Sequence, residues 1–172
     1  MKKKNDPMVI LRGHKTSDIP GVKSVIGANS LPALAQVLIK IGHCRVIGEY
    51  GRAAIESVRG LDKSKRDRYF IGGTAYLWWK LKPYIKYEFD FYGDQVDNFT
   101  IKALGNKKIS GKDCVMIFEK VTSKGKVTAL YGSSPQATGK AAATWVDLRP
   151  LHGSYRLVIA DFHGNILLWL EY

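Results

Sequence analysis

At 172 residues, with 45% hydrophobic and 11% aromatic side chains, the chain has the length and composition of one ordinary domain that buries a core without a disulfide or metal staple, which excludes a wholly disordered protein. Twenty-seven Lys and Arg stand against 15 Asp and Glu, a formal charge of +12, so a polyanionic partner is expected. The excess is segregated: residues 1–126 hold 24 cationic and 12 acidic side chains, whereas residues 127–172 hold three of each.

The chain opens on an arm and loop over residues 1–29, where lysines mix with Pro7, Gly13, Pro20, Gly21 and Gly27. That composition predicts a partly mobile segment with one short strand at Met8–Arg12. Met1–Lys4 has the charge of a signal-peptide start, but Asn5, Asp6 and Pro7 follow at once and the apolar run after them is too short for an h-region. No apolar run reaches membrane-crossing length. The two cysteines, Cys44 and Cys114, lack metal-ligand spacing and fit a reducing compartment. The expectation is an intracellular, cytoplasmic protein in which residues 30–172 form a single α+β domain.

A helix is predicted from Ser30, which can cap, through Pro32 in the first turn, to a stop at Gly42; Leu31, Leu34, Val37, Leu38 and Ile41 form its apolar stripe. A shorter helix is expected from Tyr50 to Arg59, stopped by Gly60. Lys63, Lys65, Arg66 and Arg68 then make a compact basic cluster, read as a loop or helix end. From Tyr84 the period changes to two, so residues 84–92 and 96–104 form a hairpin around Gly93. Two more hairpins join Cys114–Val121 to Val127–Tyr131, and Tyr155–Ala160 to Ile166–Tyr172. The unbroken apolar run Ile166–Leu170 predicts a central strand. Between these hairpins, residues 132–142 are rich in Ser, Gly and Ala and read as a flexible loop.

Nucleic-acid binding needs cations for phosphates and flat rings for bases. Both occur between Arg66 and Tyr87, so the expected contacts are Lys63, Lys65, Arg66, Arg68, Tyr69, Trp78, Lys80, Lys82 and Lys86, joined by Lys107, Lys108 and Lys112. Catalysis without a metal would need a base, an acid and a cation for the phosphorane, and His152, Arg149 and Lys140 are the set that offers them. Ser134–Ala141 approaches a phosphate-cradling loop, but it lacks the first glycine and the metal-binding hydroxyl. Glu88, Asp90, Asp94 and Asp97 read as a solvated strand face, so no metal and no cofactor are expected.

The fold expected is α+β, with one or two N-terminal helices followed by a twisted antiparallel sheet or partly closed barrel of about six or seven strands. This order looks broadly like that of small microbial ribonuclease and toxin domains, a likeness that transfers no residue roles. The favoured function is a non-catalytic nucleic-acid-binding protein, with RNA foremost. The alternatives are a metal-free endoribonuclease or toxin domain, and a viral or phage assembly protein whose basic arm meets packaged genome. An acidic protein is another partner such a surface fits.

Overall fold

The computed structural model describes residues 7–12, 36, 37, 39–42, 45–49, 65–71, 89–91, 98–101, 107–110, 115–132 and 135–172. Ten strands are described: β1 (Met8–Arg12), β2 (Arg45–Glu49), β3 (Arg68–Ile71), β4 (Phe89–Phe91), β5 (Asn98–Ile101), β6 (Lys107–Ser110), β7 (Val115–Thr122), β8 (Gly125–Gly132), β9 (Tyr155–Ala160) and β10 (Ile166–Glu171). One full helix, α1 (Pro135–Asp147), lies between β8 and β9. The expected helix over residues 50–59 lies outside the described residues, and of the helix expected from Ser30 the described part is helical at residues 36, 37 and 39–41.

Seven strands form one open sheet in the order β10-β9-β7-β8-β3-β1-β2, and β4-β5-β6 form a smaller one. The larger sheet is mixed, which corrects the antiparallel and barrel expectation. β2, β1, β3 and β8 run parallel, whereas β8, β7, β9 and β10 are successively antiparallel. Of the parallel half, β1 forms at the expected Met8–Arg12 and β8 covers the expected Val127–Tyr131, while β2 and β3 were hidden because they do not alternate. All four residues of β3 are buried, and strands covered on both faces lose the polar-out signal on which period-two reading depends. Arg68–Ile71 is accordingly a strand near the sheet's centre, where a loop or helix end was expected.

All three predicted hairpins form antiparallel pairs. β7 and β8 are joined by a tight turn, in which Thr122 Oγ1 accepts from the Lys124 amide at 3.1 Å and donates to the Gly125 carbonyl at 2.7 Å. Gly125 is required twice over. Its φ is +113°, and a Cβ there would lie 2.3 Å from the Arg66 carbonyl oxygen, because the Arg66 amide donates to the Lys124 carbonyl at 2.9 Å.

Two further expectations change. β10 is an edge strand and not a central one, with Ile166 49% and Trp169 39% exposed; its apolar run reflects a covered position only at Leu168. The stretch read as a flexible loop is mostly α1. Ser134 before Pro135 is the same start signal as Ser30 before Pro32, and the alanines that follow are strong helix formers. Gly139 and Lys140 therefore sit inside a helix and not in a phosphate-cradling loop, since their backbone amides belong to the helical ladder.

The helix lies on one face of the sheet. Ala137, Ala141, Ala142 and Trp145 pack against Tyr69, Ile71, Val115, Ile117, Leu130, Val158 and Ala160, and Val37 joins the same cluster. Close approach of β8 and α1 is set by Gly132, where a Cβ would stand 2.1 Å from the Thr138 amide nitrogen. On the other face Phe70, Met116, Phe118, Ala129, Tyr155, Leu157 and Ile159 are buried too, so the centre of the sheet is closed to water on both sides.

Candidate nucleic-acid interface

Strand register collects the charged residues at one end of the sheet. The first residues of the parallel strands, Arg45, Met8 and Arg68, fall in one row with Val127, Lys120 and Tyr155. Just beyond that row lie the β7–β8 turn, carrying exposed Lys124 and half-buried Lys126, and the segment entering β3, carrying exposed Lys65. The segment and the turn are tied together, since Asp67 Oδ1 accepts from the Lys126 amide at 2.8 Å. The end of α1 arrives at the same place, where Lys40, from the helical residues 39–41, donates from its Nζ to the Trp145 carbonyl at 2.8 Å.

Three of these lysines lie over aromatic rings. Lys40 Nζ is 4.2 Å from the Trp145 ring centroid, Lys120 Nζ 5.7 Å from Tyr155 and Lys126 Nζ 5.9 Å from Tyr69. The rings are buried, so they anchor the ammonium groups through their negative faces and do not offer themselves for stacking. Withdrawal from water pulls the Lys40 pKa below the ordinary lysine value; Glu119 opposes this, while Lys126 and Arg156 add to it. Tyr172 stacks on Tyr155 at 5.2 Å with planes 7° apart and is 47% exposed, so it carries aromatic surface to water at this end.

The next row inward holds the acids' side of the arrangement. Tyr69, Thr128, Glu119, Arg156 and Glu171 are register neighbours across five strands. Glu119 accepts from Trp145 Nε1 at 2.6 Å and pairs with Arg156 Nη2 at 2.6 Å, both side chains almost wholly buried. Arg156 Nη1 also donates to the Arg149 carbonyl at 2.9 Å. Arg149 in turn pairs with Glu171 at 2.6 Å, and Trp169 Nε1 donates to the same carboxylate oxygen at 3.1 Å. Burial pushes the Glu171 pKa up, but the hydrogen bonds from Arg149 and Trp169 with the Arg149 charge outweigh it, and the net shift is downward. Glu119, Glu171 and Asp67 are thus engaged within the protein, Asp147 at the end of α1 is exposed, and Lys65 and Lys124 stand exposed beside them.

The expected nucleic-acid contacts divide accordingly. Lys65 is exposed at the basic end. Arg66, Arg68 and Tyr69 are 6%, 3% and 5% exposed, a correction to their expected surface position: Arg66 lies in the segment held against the β7–β8 turn, and β3 is a central strand, so the Arg68 and Tyr69 side chains enter the layers above and below the sheet. Lys107 and Lys108 lie on β6 in the smaller sheet, while Lys63, Trp78, Lys80, Lys82, Lys86 and Lys112 lie outside the described residues. Of the expected catalytic set, Arg149 and His152 share the loop between α1 and β9, and both are exposed. Lys140 stands seven residues before the end of α1, about 10 Å along the helix axis. Sequence reasoning missed Lys40, Lys120, Lys124 and Lys126. The run Thr122–Lys126 was legible as a hairpin turn, and a turn bearing two lysines is exposed by construction of the hairpin.

Among the described residues no group of three or more His, Cys, Asp or Glu is placed to hold a metal ion, and no helix is long and apolar enough to cross a membrane. Fold and site together define an α+β fold with a mixed open sheet and a cation-rich sheet end. The chain matches no protein-family model, and no curated protein matches it.

Proposed function

We propose that this protein binds nucleic acid, RNA foremost, through the basic end of its larger sheet, without catalysing a reaction on it. The observation that carries the reading is the convergence of Lys40, Lys65, Lys120, Lys124 and Lys126 at one end of the sheet, where the neighbouring carboxylates of Glu119, Asp67 and Glu171 are engaged by internal partners. An array of ammonium groups beside acids already engaged within the protein attracts phosphates by charge and by release of their counterions. Tyr172 supplies a ring on which a base can stack.

A single-stranded RNA labelled at one end tests this by titration at several salt concentrations. The expected result is an affinity that falls steeply with salt, by about 0.7 in log K per log salt for each phosphate neutralised, with the RNA recovered at full length. Equal retention at low and high salt would overturn the reading.

A further inference from the structure

The outer side of β10 has the geometry of a pairing edge. Tyr155 and Tyr172 exchange both backbone hydrogen bonds, at 2.9 and 3.0 Å. Antiparallel strands alternate such pairs, so the N–H and C=O groups of Trp169 and Glu171 point away from β9, and among the described residues no strand pairs with that side. The register shift between Ile166 and Leu168 leaves the stretch 168–171 regular. Its side chains include no cation, and its one acid, Glu171, is paired with Arg149.

Charge decides what fits there. Two copies of a chain with a charge of +12 repel at most approaches, but this edge belongs to the part of the sequence in which acids and bases are equal in number. A parallel arrangement would set two basic ends side by side. An antiparallel one, about a two-fold axis, sets the basic end of each copy beside the β9–β10 turn of the other, which carries the negative charge of Asp161. We infer that β10 pairs antiparallel with β10 of a second copy of this chain, joining two seven-stranded sheets into one. In the register with Trp169 opposite its symmetry mate, the outward Trp169 N–H and C=O bond their own counterparts, and the two half-exposed indoles meet as a cross-strand aromatic pair.

This pairing is independent of RNA binding, and sedimentation of the full chain tests it from about 1 µM to about 100 µM in salt high enough to strip nucleic acid. The expected result is a species of two chains at the upper concentrations. Trp169→Lys sets two like charges opposite each other and should give a single chain throughout, with an unchanged far-ultraviolet circular dichroism spectrum. Should that variant fail to fold, Ile166→Lys, at a position already half exposed, should weaken association at least tenfold. A wild-type chain that stays single at the highest concentration overturns the inference and leaves the edge to a strand of another protein. A two-chain species unaffected by the folded variants overturns it as well.

Discussion

The two ends of the larger sheet are built from the same strands, yet they differ in how charge is handled. At the end where β3 begins and β7 turns into β8, five lysines stand outside carboxylates that Arg156, Trp145, Arg149 and a backbone amide already engage. At the opposite end the described charges are few and mixed: Arg12 and Glu49 close β1 and β2, and Asp161 accepts from the Asn165 side chain, the Asn165 amide and the His163 amide of its own turn. The Asn165 side chain is the main reason the Asp161 pKa lies below the usual carboxylate value. The contrast teaches that net charge alone does not make an interface. What matters is where strand register gathers several ammonium groups, because the opposite end engages its Asp161 internally as well and yet has no such array among the described residues.

The most severe way to break the contrast is to remove the support beneath the basic end. Arg156→Ala leaves Glu119 buried without its cation and should cost about 3–5 kcal/mol of stability, read by urea denaturation; a loss below about 1 kcal/mol would mean that the pair does not hold this end together. Gly125→Ala acts on the turn itself. It should cost about 1–3 kcal/mol through the positive φ, with the contact to the Arg66 carbonyl adding to that.

Acid should separate the ends more gently. The Glu171 pKa is lowered in the folded protein, so its contribution is present above its ordinary value of 4.5 and is lost as pH falls through the lowered folded value. Unfolding midpoints measured across that range should decline, and Glu171→Gln should flatten that part of the decline. The smallest expected effect is on Lys40. A lowered lysine pKa means that the folded state gives up its proton before the unfolded chain does, so stability should rise as pH climbs through the folded value towards 10.5. Acylation of Lys40 followed as pH is raised, with its onset below the ordinary lysine value, would show the same shift directly.

The antiparallel half of this fold was legible because its hairpins announce themselves. Gly93, the Thr122–Lys126 run and the Asp161–Asn165 run each separate apolar segments, and all three pairs formed. The parallel half was legible only at β1 and β8, since β2 and β3 are short and give no alternation, and the partners of a parallel strand are distant in sequence. Helix α1 was signalled by Ser134-Pro135, but the Gly139-Lys140 pair inside it drew the reading towards a loop. The basic end was half legible. Lys65 came from a visible cluster, whereas Arg66, Arg68 and Tyr69 in that cluster turn inward once β3 takes a central place. Lys40, Lys120, Lys124 and Lys126 meet only through register, which no local pattern encodes.

The comparison of the two ends can be tested on RNA directly. Lys65→Ala, Lys124→Ala and Lys126→Ala combined in one chain remove three ammonium groups from the basic end, and Lys140→Ala on the exposed face of α1 serves as the contrast. The account predicts that the triple variant lowers the slope of log affinity against log salt by about 2 while Lys140→Ala leaves it within error of the wild type. A triple variant that keeps the wild-type slope, or a Lys140→Ala variant that loses as much per lysine, would contradict it.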